Sequence, residues 1–180
     1  MADVLIVYST VDGHTREICD RLQGVLEASG HQVTCIELNP DSAIDLAAPD
    51  AVVIGASIRY GKHRPEVARL INANVATLES KPGAFFSVNA VARKPGKKTP
   101  ETNPYVRKFL ATIRWRPPLV GIFAGKIDYP RYGFIDKTMI RFIMWITKGP
   151  TDPDGTFEFT DWDAVEDFGR RVAAMVREAG

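Results

Sequence analysis

Hydroxyl residues and one glycine lie together near the start of the 180-residue chain, between a short apolar run and the beginning of a helical pattern. Hydroxyl donors, free backbone N–H groups and the positive end of a helix dipole form a pocket suited to a phosphate monoester. An ordinary helix cap is the alternative, because Ser and Thr often stand at helix starts. The candidate phosphate ligands are Ser9, Thr10, Asp12, Gly13, His14 and Thr15.

Two later segments, 55–61 and 87–95, also follow apolar runs and contain small residues, and the first of them holds Tyr60. Such loops beside a phosphate pocket suit a flat heterocycle bound at the edge of a sheet. Tyr60 could stack on that ring, or it could be an exposed loop aromatic. The sequence has neither the G-x-G-x-x-G motif of dinucleotide sites nor the G-x-x-x-x-G-K-S/T motif of nucleotide triphosphate sites, so the pocket is expected to take one phosphate.

The elements that position these loops alternate between strands and helices. Four strands are continuous apolar runs, whereas the second mixes polar and apolar residues, as an edge strand does. This alternation predicts a single α/β domain over 1–180, a doubly wound five-stranded parallel sheet of order 2-1-3-4-5, with an inserted segment at 125–160 before the last helix. The predicted strands are 4–8, 31–38, 51–55, 84–88 and 119–124.

The composition is that of a globular protein, with 45% hydrophobic and 25% charged residues. These values exclude disordered, collagen-like and coiled-coil classes. The two Cys and three His residues lack the spacing of a zinc site or a disulfide framework, so no metal is expected. The N-terminus shows no basic stretch and no small-residue cleavage site, which predicts a cytoplasmic protein.

Charge is distributed unevenly, although the net charge is only +1. Between residues 93 and 148 there are 13 Lys and Arg residues and three acidic residues. This basic side favours an anionic partner, which would be nucleic acid, an acidic lipid surface or a carboxylated substrate. Nucleic acid ranks last and is not expected, because the aromatic residues lie on core-facing helix faces and are not interleaved along a groove.

The predicted phosphate loop and the loops at 55–61 and 87–95 make the chain similar to flavodoxin-fold proteins. It most closely resembles one branch, the menaquinone-dependent protoporphyrinogen IX dehydrogenase family of haem biosynthesis. The phosphate loop is shared with flavodoxins in general and is moderately specific. The runs Ala92-Arg93-Lys94-Pro95 and Tyr129-Pro130-Arg131-Tyr132 are far more selective. The resemblance spans nearly the whole chain, in the segments 8–17, 53–61, 87–95, 99–100, 105–110, 115–117, 129–132 and 160–162.

The resemblance implies a flavodoxin-like fold with non-covalently bound FMN as the electron carrier. It implies oxidation of protoporphyrinogen IX to protoporphyrin IX in three two-electron steps, with a quinone re-oxidising the flavin between steps. Asp12 departs from the hydroxyl residue common in the phosphate loop, and we expect it to turn outward and to contribute only its backbone N–H. By position, the isoalloxazine ring would lie against Ala56, Ser57, Ile58, Arg59, Tyr60, Gly61, Ser87, Val88, Asn89, Ala90, Val91 and Ala92.

The two propionates of that substrate require cations. Any one of the available cations could equally be a solvated surface charge, since exposed Arg and Lys are the rule. No residue is assigned as the catalytic proton acceptor. The substrate-binding candidates are Arg59, Arg93, Lys94 and Arg131.

Residues 132–148 of the insertion predict a helix with Lys137, Arg141 and Lys148 on one side. Its charges exclude a membrane span, but an interfacial position would bring the flavin to a lipid-dissolved quinone. This predicts a cytoplasmic enzyme peripherally associated with the anionic inner (plasma) membrane. The alternative is a helix packed in the core or against a second copy in a homodimer. The apolar residues opposite the basic stripe are Ile135, Met139, Phe142, Ile143 and Ile146.

Two other functions are compatible with the same fold. One is a soluble electron-transfer protein like ordinary flavodoxins, which tend to present an acidic face to their partners, whereas the face expected here is basic. The other is an NAD(P)H-dependent quinone or nitroaromatic reductase, for which no nicotinamide dinucleotide site is recognisable in the sequence.

Overall fold

The computed structural model of the protein describes residues 1–180 and contains eight strands and six α-helices. The strands are β1 (Asp3–Ser9), β2 (Gln32–Glu37), β3 (Ala51–Arg59), β4 (Lys62–His63), β5 (Gly83–Val88), β6 (Leu119–Phe123), β7 (Lys126–Asp128) and β8 (Thr156–Glu158). The helices are α1 (His14–Ala28), α2 (Pro65–Ala73), α3 (Val75–Glu79), α4 (Pro104–Thr112), α5 (Phe134–Ile146) and α6 (Trp162–Ala179), with short 3-10 helices at Ala90–Arg93 and Tyr129–Arg131.

Five parallel strands form the main sheet, in the order β2-β1-β3-β5-β6. This is the predicted order 2-1-3-4-5, because β4 is only a two-residue strand that pairs antiparallel with the end of β3. β1, β3 and β5 are buried along most of their lengths, whereas the residues of β2 are half-buried or exposed. The doubly wound α/β fold and the edge position of the second strand are therefore confirmed.

Helices cover both faces of the main sheet, because successive residues of a strand point to opposite sides. Val4 and Ile6 of β1 belong to the core that α1 and α6 cover, whereas Leu5 and Val7 belong to the core under α2, α3 and α4. Fully burying one such side chain contributes about 1.5–3 kcal/mol of transfer free energy. The two cores fix the sheet, and with it the positions at which the strands end.

The end of β3 differs from the prediction, which placed a strand at 51–55 and a loop after it. β3 continues to Arg59 and then turns back at Tyr60 and Gly61 into β4. Both turn residues have positive φ, 52° and 77° respectively, as a tight two-residue hairpin turn requires. The continuation was missed because only the first half of β3 is a continuous apolar run. The predicted ring-binding loop is thus a hairpin with a fixed backbone.

The chain between β6 and α6 folds as a small unit beside the main sheet. β7 and β8 pair antiparallel, and α5 packs over them through a separate buried cluster of Ile127, Tyr129 and Met144. Asp161 then begins α6 as its N-cap, because its side chain accepts a hydrogen bond from the Ala164 N–H at 3.1 Å. The insertion therefore has its own small core and is attached at both ends by regular structure.

The outward side of α5 is apolar and exposed, and we call it the outer face of α5. No helix of the protein combines the length and the apolar character needed to cross a membrane. The outer face consists of Phe134, Ile135, Met139, Phe142, Trp145 and Ile146, whose exposed fractions range from 44% to 85%.

Candidate active site

A cleft opens at the carboxyl ends of β1, β3 and β5, the edge at which doubly wound sheets bind ligands. It contains about 930 Å³ of free space, part of which is open to solvent. The insertion covers one side of it, since β7 and α5 contribute lining residues. The predicted cofactor residues that line the cleft are Thr10, Asp12, His14, Thr15, Ser57, Ile58, Arg59, Tyr60, Gly61, Val88, Asn89, Ala90 and Val91.

Four of the five remaining predicted cofactor residues lie behind this lining. Ser9, Ala56, Ser87 and Ala92 are at most 1% exposed, and Gly13 lies on the exposed side of the first loop. Strand pairing explains the burial of Ser9 and Ala56, which are opposite each other where β1 and β3 end. These residues support the loops from behind, and only the hydroxyl of Ser9 among them has unused hydrogen-bonding capacity.

The loop between β1 and α1 is shaped by Gly13, which has a left-handed φ of 84°. The Gly13 N–H donates to Thr10 Oγ1 at 2.9 Å, and α1 begins at the next residue, His14. The N–H groups of a first helical turn have no partner within the helix, and the dipole of the helix is positive at this end. The loop therefore offers the donors and the potential that an anion needs.

Three hydroxyl groups at this end of the cleft are buried without a hydrogen-bond partner. They are Ser9 Oγ, Thr15 Oγ1 and Ser57 Oγ. A buried hydroxyl without a partner costs about 1–3 kcal/mol. Because all three belong to the adjacent ends of β1 and β3 and to the first turn of α1, they indicate a polar ligand at this point of the cleft.

The His14 side chain is occupied by contacts within the protein. Its Nε2 lies 2.6 Å from Thr160 Oγ1, which itself donates to the Ala124 carbonyl oxygen at 2.9 Å. Its Nδ1 lies 3.2 Å from a carboxylate oxygen of Glu17. His14 therefore joins the first loop to the segment that precedes α6, and its backbone N–H is the group that remains for a ligand.

Arg59 is held between two carboxylates at the rim of the cleft. It donates to the Asp12 carboxylate, and its Nη1 lies 3.0 Å from Asp136 Oδ2 in the first turn of α5. The Tyr60 hydroxyl donates to Asp136 as well, and the guanidinium carbon lies 5.5 Å from the centre of the Tyr132 ring. We call Asp12, Arg59, Tyr60 and Asp136 the Arg59 cluster. The Asp12 charge is thus paired with an arginine beside the anion-binding loop.

A buried polar network holds the loop after β5. Burial lowers the pKa of His63 to about 4, so the ring is neutral at pH 7, and its Nε2 shares a hydrogen bond with Ser87 Oγ at 2.8 Å. Asn89 Nδ2 donates to the same hydroxyl at 3.2 Å, and Asn89 Oδ1 accepts from Asn103 Nδ2 at 3.0 Å and from the Ala92 N–H at 3.1 Å. Because these hydrogen bonds connect Ser87, Asn89 and Ala92 to one another and to their neighbours, the loop after β5 is held in place beside the cleft.

The four predicted substrate-binding cations differ in position. Arg59 and Arg93 line the cleft, but Arg93 donates to the carbonyl oxygen and the hydroxyl of Thr147 at 3.0 Å each and fixes the end of α5. Lys94 lies outside the lining because the chain leaves the cleft after the 3-10 helix. Arg131 points to solvent with a 69% exposed side chain, 3.9 Å from Asp128. Arg59 is therefore the best placed of the four.

The insertion supplies lining residues that sequence reasoning missed. The broad apolar arc of α5 was the sequence signal for them, because it is wider than one packed face requires. One side of this arc lines the cleft and the other is exposed to solvent. Ile143, grouped from the sequence with Ile135 and Met139, faces the cleft. Lys126 is a further cation there, and its ammonium group forms no ion pair. Tyr105 of α4 was missed as well. The missed lining residues of the insertion are Gly125, Lys126, Ile127, Tyr132, Ile140, Ile143, Met144 and Thr147.

Comparison with solved structures supports the fold. A short-chain flavodoxin associated with a PDU bacterial microcompartment aligns over 100% of both chains, with a TM-score of 0.59 and 15% sequence identity. The oxidised flavodoxin 1 of Bacillus cereus aligns over 99% of both chains, with a TM-score of 0.52 and 15% identity. Residues 5–154 match the family described as Flavodoxin domain.

Sequence relatives are more specific. A protein named protoporphyrinogen IX dehydrogenase (quinone) from Escherichia coli K12 is 43% identical over 171 residues, which cover 95% of this chain and 94% of the relative. A protein of the same name from Leishmania major is 43% identical over 173 residues, which cover 95% of this chain and 74% of the relative.

A flavodoxin domain indicates bound FMN, and the residues of the cleft fit this cofactor. Flavodoxin-like sheets bind FMN at the point where the strand order reverses, which is between β1 and β3 here. The unpaired hydroxyls of Ser9 and Thr15 and the free N–H groups of the first turn of α1 would hold its phosphate. The hairpin after β3 and the segment after β5 would hold its ring.

Replacing Thr15 with Val should affect the FMN-free and FMN-bound proteins in opposite directions. The FMN-free variant should be more stable by about 1 kcal/mol, because an unpaired buried hydroxyl is removed. FMN should bind about 10-fold to 100-fold more weakly, because one charge-assisted hydrogen bond is lost. Thermal unfolding of the apoprotein and fluorescence titration with FMN measure the two effects.

Thr34→Val on the exposed side of β2 is the matched control, since it makes the same chemical change far from the cleft. It should change neither quantity. Unchanged FMN affinity in the Thr15 variant would place the phosphate elsewhere.

The strand order and the cleft at the switch point are those of a flavodoxin-like fold. The family match covers residues 5–154, and the identity to the named relatives extends over nearly the full length of the chain. The chain belongs to the flavodoxin-domain family and, within it, to the family of the quinone-dependent protoporphyrinogen IX dehydrogenases.

Proposed function

We propose that this protein oxidises protoporphyrinogen IX to protoporphyrin IX with FMN as its cofactor and a quinone as the electron acceptor. The observation that carries the proposal is 43% identity over 95% of the chain to proteins named for this reaction. The structure adds a cleft in which the flavodoxin loops and the insertion face the same space. A cofactor and a large organic substrate can therefore meet in one place.

Bound FMN supplies a redox group that takes up two electrons at a time and passes them on to the quinone. The protein's part is to bind and to orient. The first loop would hold the phosphate end through Thr15 and backbone N–H groups, and the β3–β4 hairpin, with its turn at Tyr60 and Gly61, would hold the ring end. The His63 network keeps the segment after β5 in place.

The walls of the cleft match the two kinds of surface that the substrate presents. Ile140, Ile143 and Met144 of α5 give an apolar wall for the pyrrole rings and keep water from that side. Arg59 and Lys126 provide positive charge for the propionates, and a carboxylate pairs with Arg in a geometrically specific way. The substrate can therefore be oriented by its carboxylates while its rings lie against the apolar wall.

The proposed reaction is tested anaerobically with FMN-loaded protein. Protoporphyrinogen IX should bleach the flavin absorbance, and continuous formation of protoporphyrin fluorescence should require added quinone. NADH and NADPH should not replace the porphyrinogen as reductants. A flavin-loaded sample that stays oxidised in the presence of porphyrinogen would refute the proposal, and reduction by NADPH would favour a nicotinamide-dependent quinone reductase.

We further propose that the protein works at the cytoplasmic surface of the inner (plasma) membrane, attached through the outer face of α5. The support is the exposure of six large apolar side chains on one short helix, among them Phe134 at 85% and Trp145 at 71%. Contiguous apolar surface of this kind marks an interaction site. Lys137 and Arg141 flank it, which suits a surface of anionic lipid. A quinone dissolved in the membrane would then be close to the cleft.

Replacing both Lys137 and Arg141 with Glu should weaken binding to vesicles that contain anionic lipid by about tenfold or more, since each cation near such a surface contributes about 1 kcal/mol. Sedimentation with vesicles measures the change. Replacing Arg170 and Arg177 of α6 with Glu changes the net charge equally at a distant site and should have little effect.

Equal loss in both variants, or no binding by the parent protein, would contradict membrane attachment. Analytical ultracentrifugation tests the alternative of a homodimer. If the parent protein is a dimer and Trp145→Glu makes it a monomer, the outer face of α5 binds a second copy of the chain.

A further inference from the structure

Asp136 occupies the position that a substrate carboxylate would take on Arg59. Its carboxylate accepts from two groups of the cleft lining, with Oδ2 3.0 Å from Arg59 Nη1 and Oδ1 bonded to the Tyr60 hydroxyl. Arg59 and Tyr60 stand next to each other at the turn of the β3–β4 hairpin. A carboxylate bound by one guanidinium N–H and one phenolic hydroxyl is the contact expected for a carboxylated ligand at this rim.

The charges around Arg59 favour an exchange of carboxylates. Arg59 faces two acids, Asp12 and Asp136, so the cluster carries an excess negative charge while the insertion remains docked. The side chains of the two acids are 37% and 40% exposed. The Arg59 side chain that they share is only 17% exposed. A ligand carboxylate can replace Asp136 at little cost, because it forms with Arg59 the same kind of ion pair that it displaces.

The two acids differ in how firmly the fold holds them. Asp12 belongs to the loop between β1 and α1, which Gly13 and Thr10 fix by a hydrogen bond. Asp136 lies in the first turn of α5, whose outer face is exposed over the whole length of the helix. The opposite end of α5 is fixed by the bonds from Arg93 to Thr147. Asp136 is therefore the carboxylate of the pair that can leave Arg59 without a change in the loop between β1 and α1.

We propose that Asp136 is a built-in competitor for the carboxylate of the substrate: it pairs with Arg59 when no substrate is bound and is displaced from Arg59 by a propionate. The inference rests on the proposed function, because it assumes a carboxylated tetrapyrrole as the ligand. It assigns Arg59 as the carboxylate-binding group and Asp136 as the residue that sets the affinity.

The test uses FMN-loaded protein and two ligands, protoporphyrin IX with free propionates and its dimethyl ester. Binding is measured by porphyrin fluorescence. Asp136→Asn should bind the free acid about threefold or more tightly. In the wild type, Asp136 leaves Arg59 in only a fraction of the molecules, whereas in the variant Arg59 is available in all of them. Its affinity for the dimethyl ester should be unchanged. In the background of Arg59→Gln the gain from Asp136→Asn should disappear, because the competitor acts only through Arg59.

Asp154→Asn is the matched control, since it removes the same charge from an exposed position of the same insertion without a contact to Arg59. It should leave both affinities unchanged, and the FMN content of each variant reports whether it has folded. An Asp136 variant that binds both porphyrins like the wild type would overturn the inference. So would a gain that also appears with the dimethyl ester or that persists with Arg59→Gln. A wild-type protein that binds neither porphyrin would instead refute the proposed function.

Discussion

Unpaired hydroxyl groups buried at the carboxyl edge of the main sheet are the constraint on which the site depends. Ser9 is the last residue of β1, Thr15 lies in the first turn of α1, and Ser57 lies one residue beyond the position opposite Ser9 on β3. The two hydrophobic cores hold these strands in register, so the hydroxyls cannot move apart to find other partners. The phosphate of FMN would supply acceptor oxygens to the hydroxyls of Ser9 and Thr15. The energetic cost of leaving these hydroxyls unpaired would then contribute to the affinity for the cofactor.

The insertion forms one wall of the cleft, and in the proposed function this wall receives the large substrate. It packs on its own small core around Tyr129 and Met144, so α5 is held over the carboxyl edge as a folded unit. One side of α5 lines the cleft and the other is exposed. The same helix can therefore serve substrate binding through Ile140 and Ile143 and an external surface through Trp145.

Much of the fold was predictable from the sequence, because hydrophobic periodicity depends on local composition. The strand order, the edge position of β2 and the loop at Gly13 all follow from apolar runs and turn residues. The continuation of β3 to Arg59 was not predictable, since its end is fixed by pairing with β4. Contacts between distant segments, such as Arg59 with Asp136, leave no pattern in one sequence. For the same reason Lys94 and Arg131 looked equivalent to Arg59 until the structure placed them.

We propose that the loop between β1 and α1 binds the phosphate of FMN. Riboflavin has the same ring and sugar chain but no phosphate, so the ratio of the two affinities isolates this contact. We expect the wild-type protein to bind FMN at least about 100-fold more tightly than riboflavin, as two or more charge-assisted hydrogen bonds would produce. Equal affinities for FMN and riboflavin would contradict it.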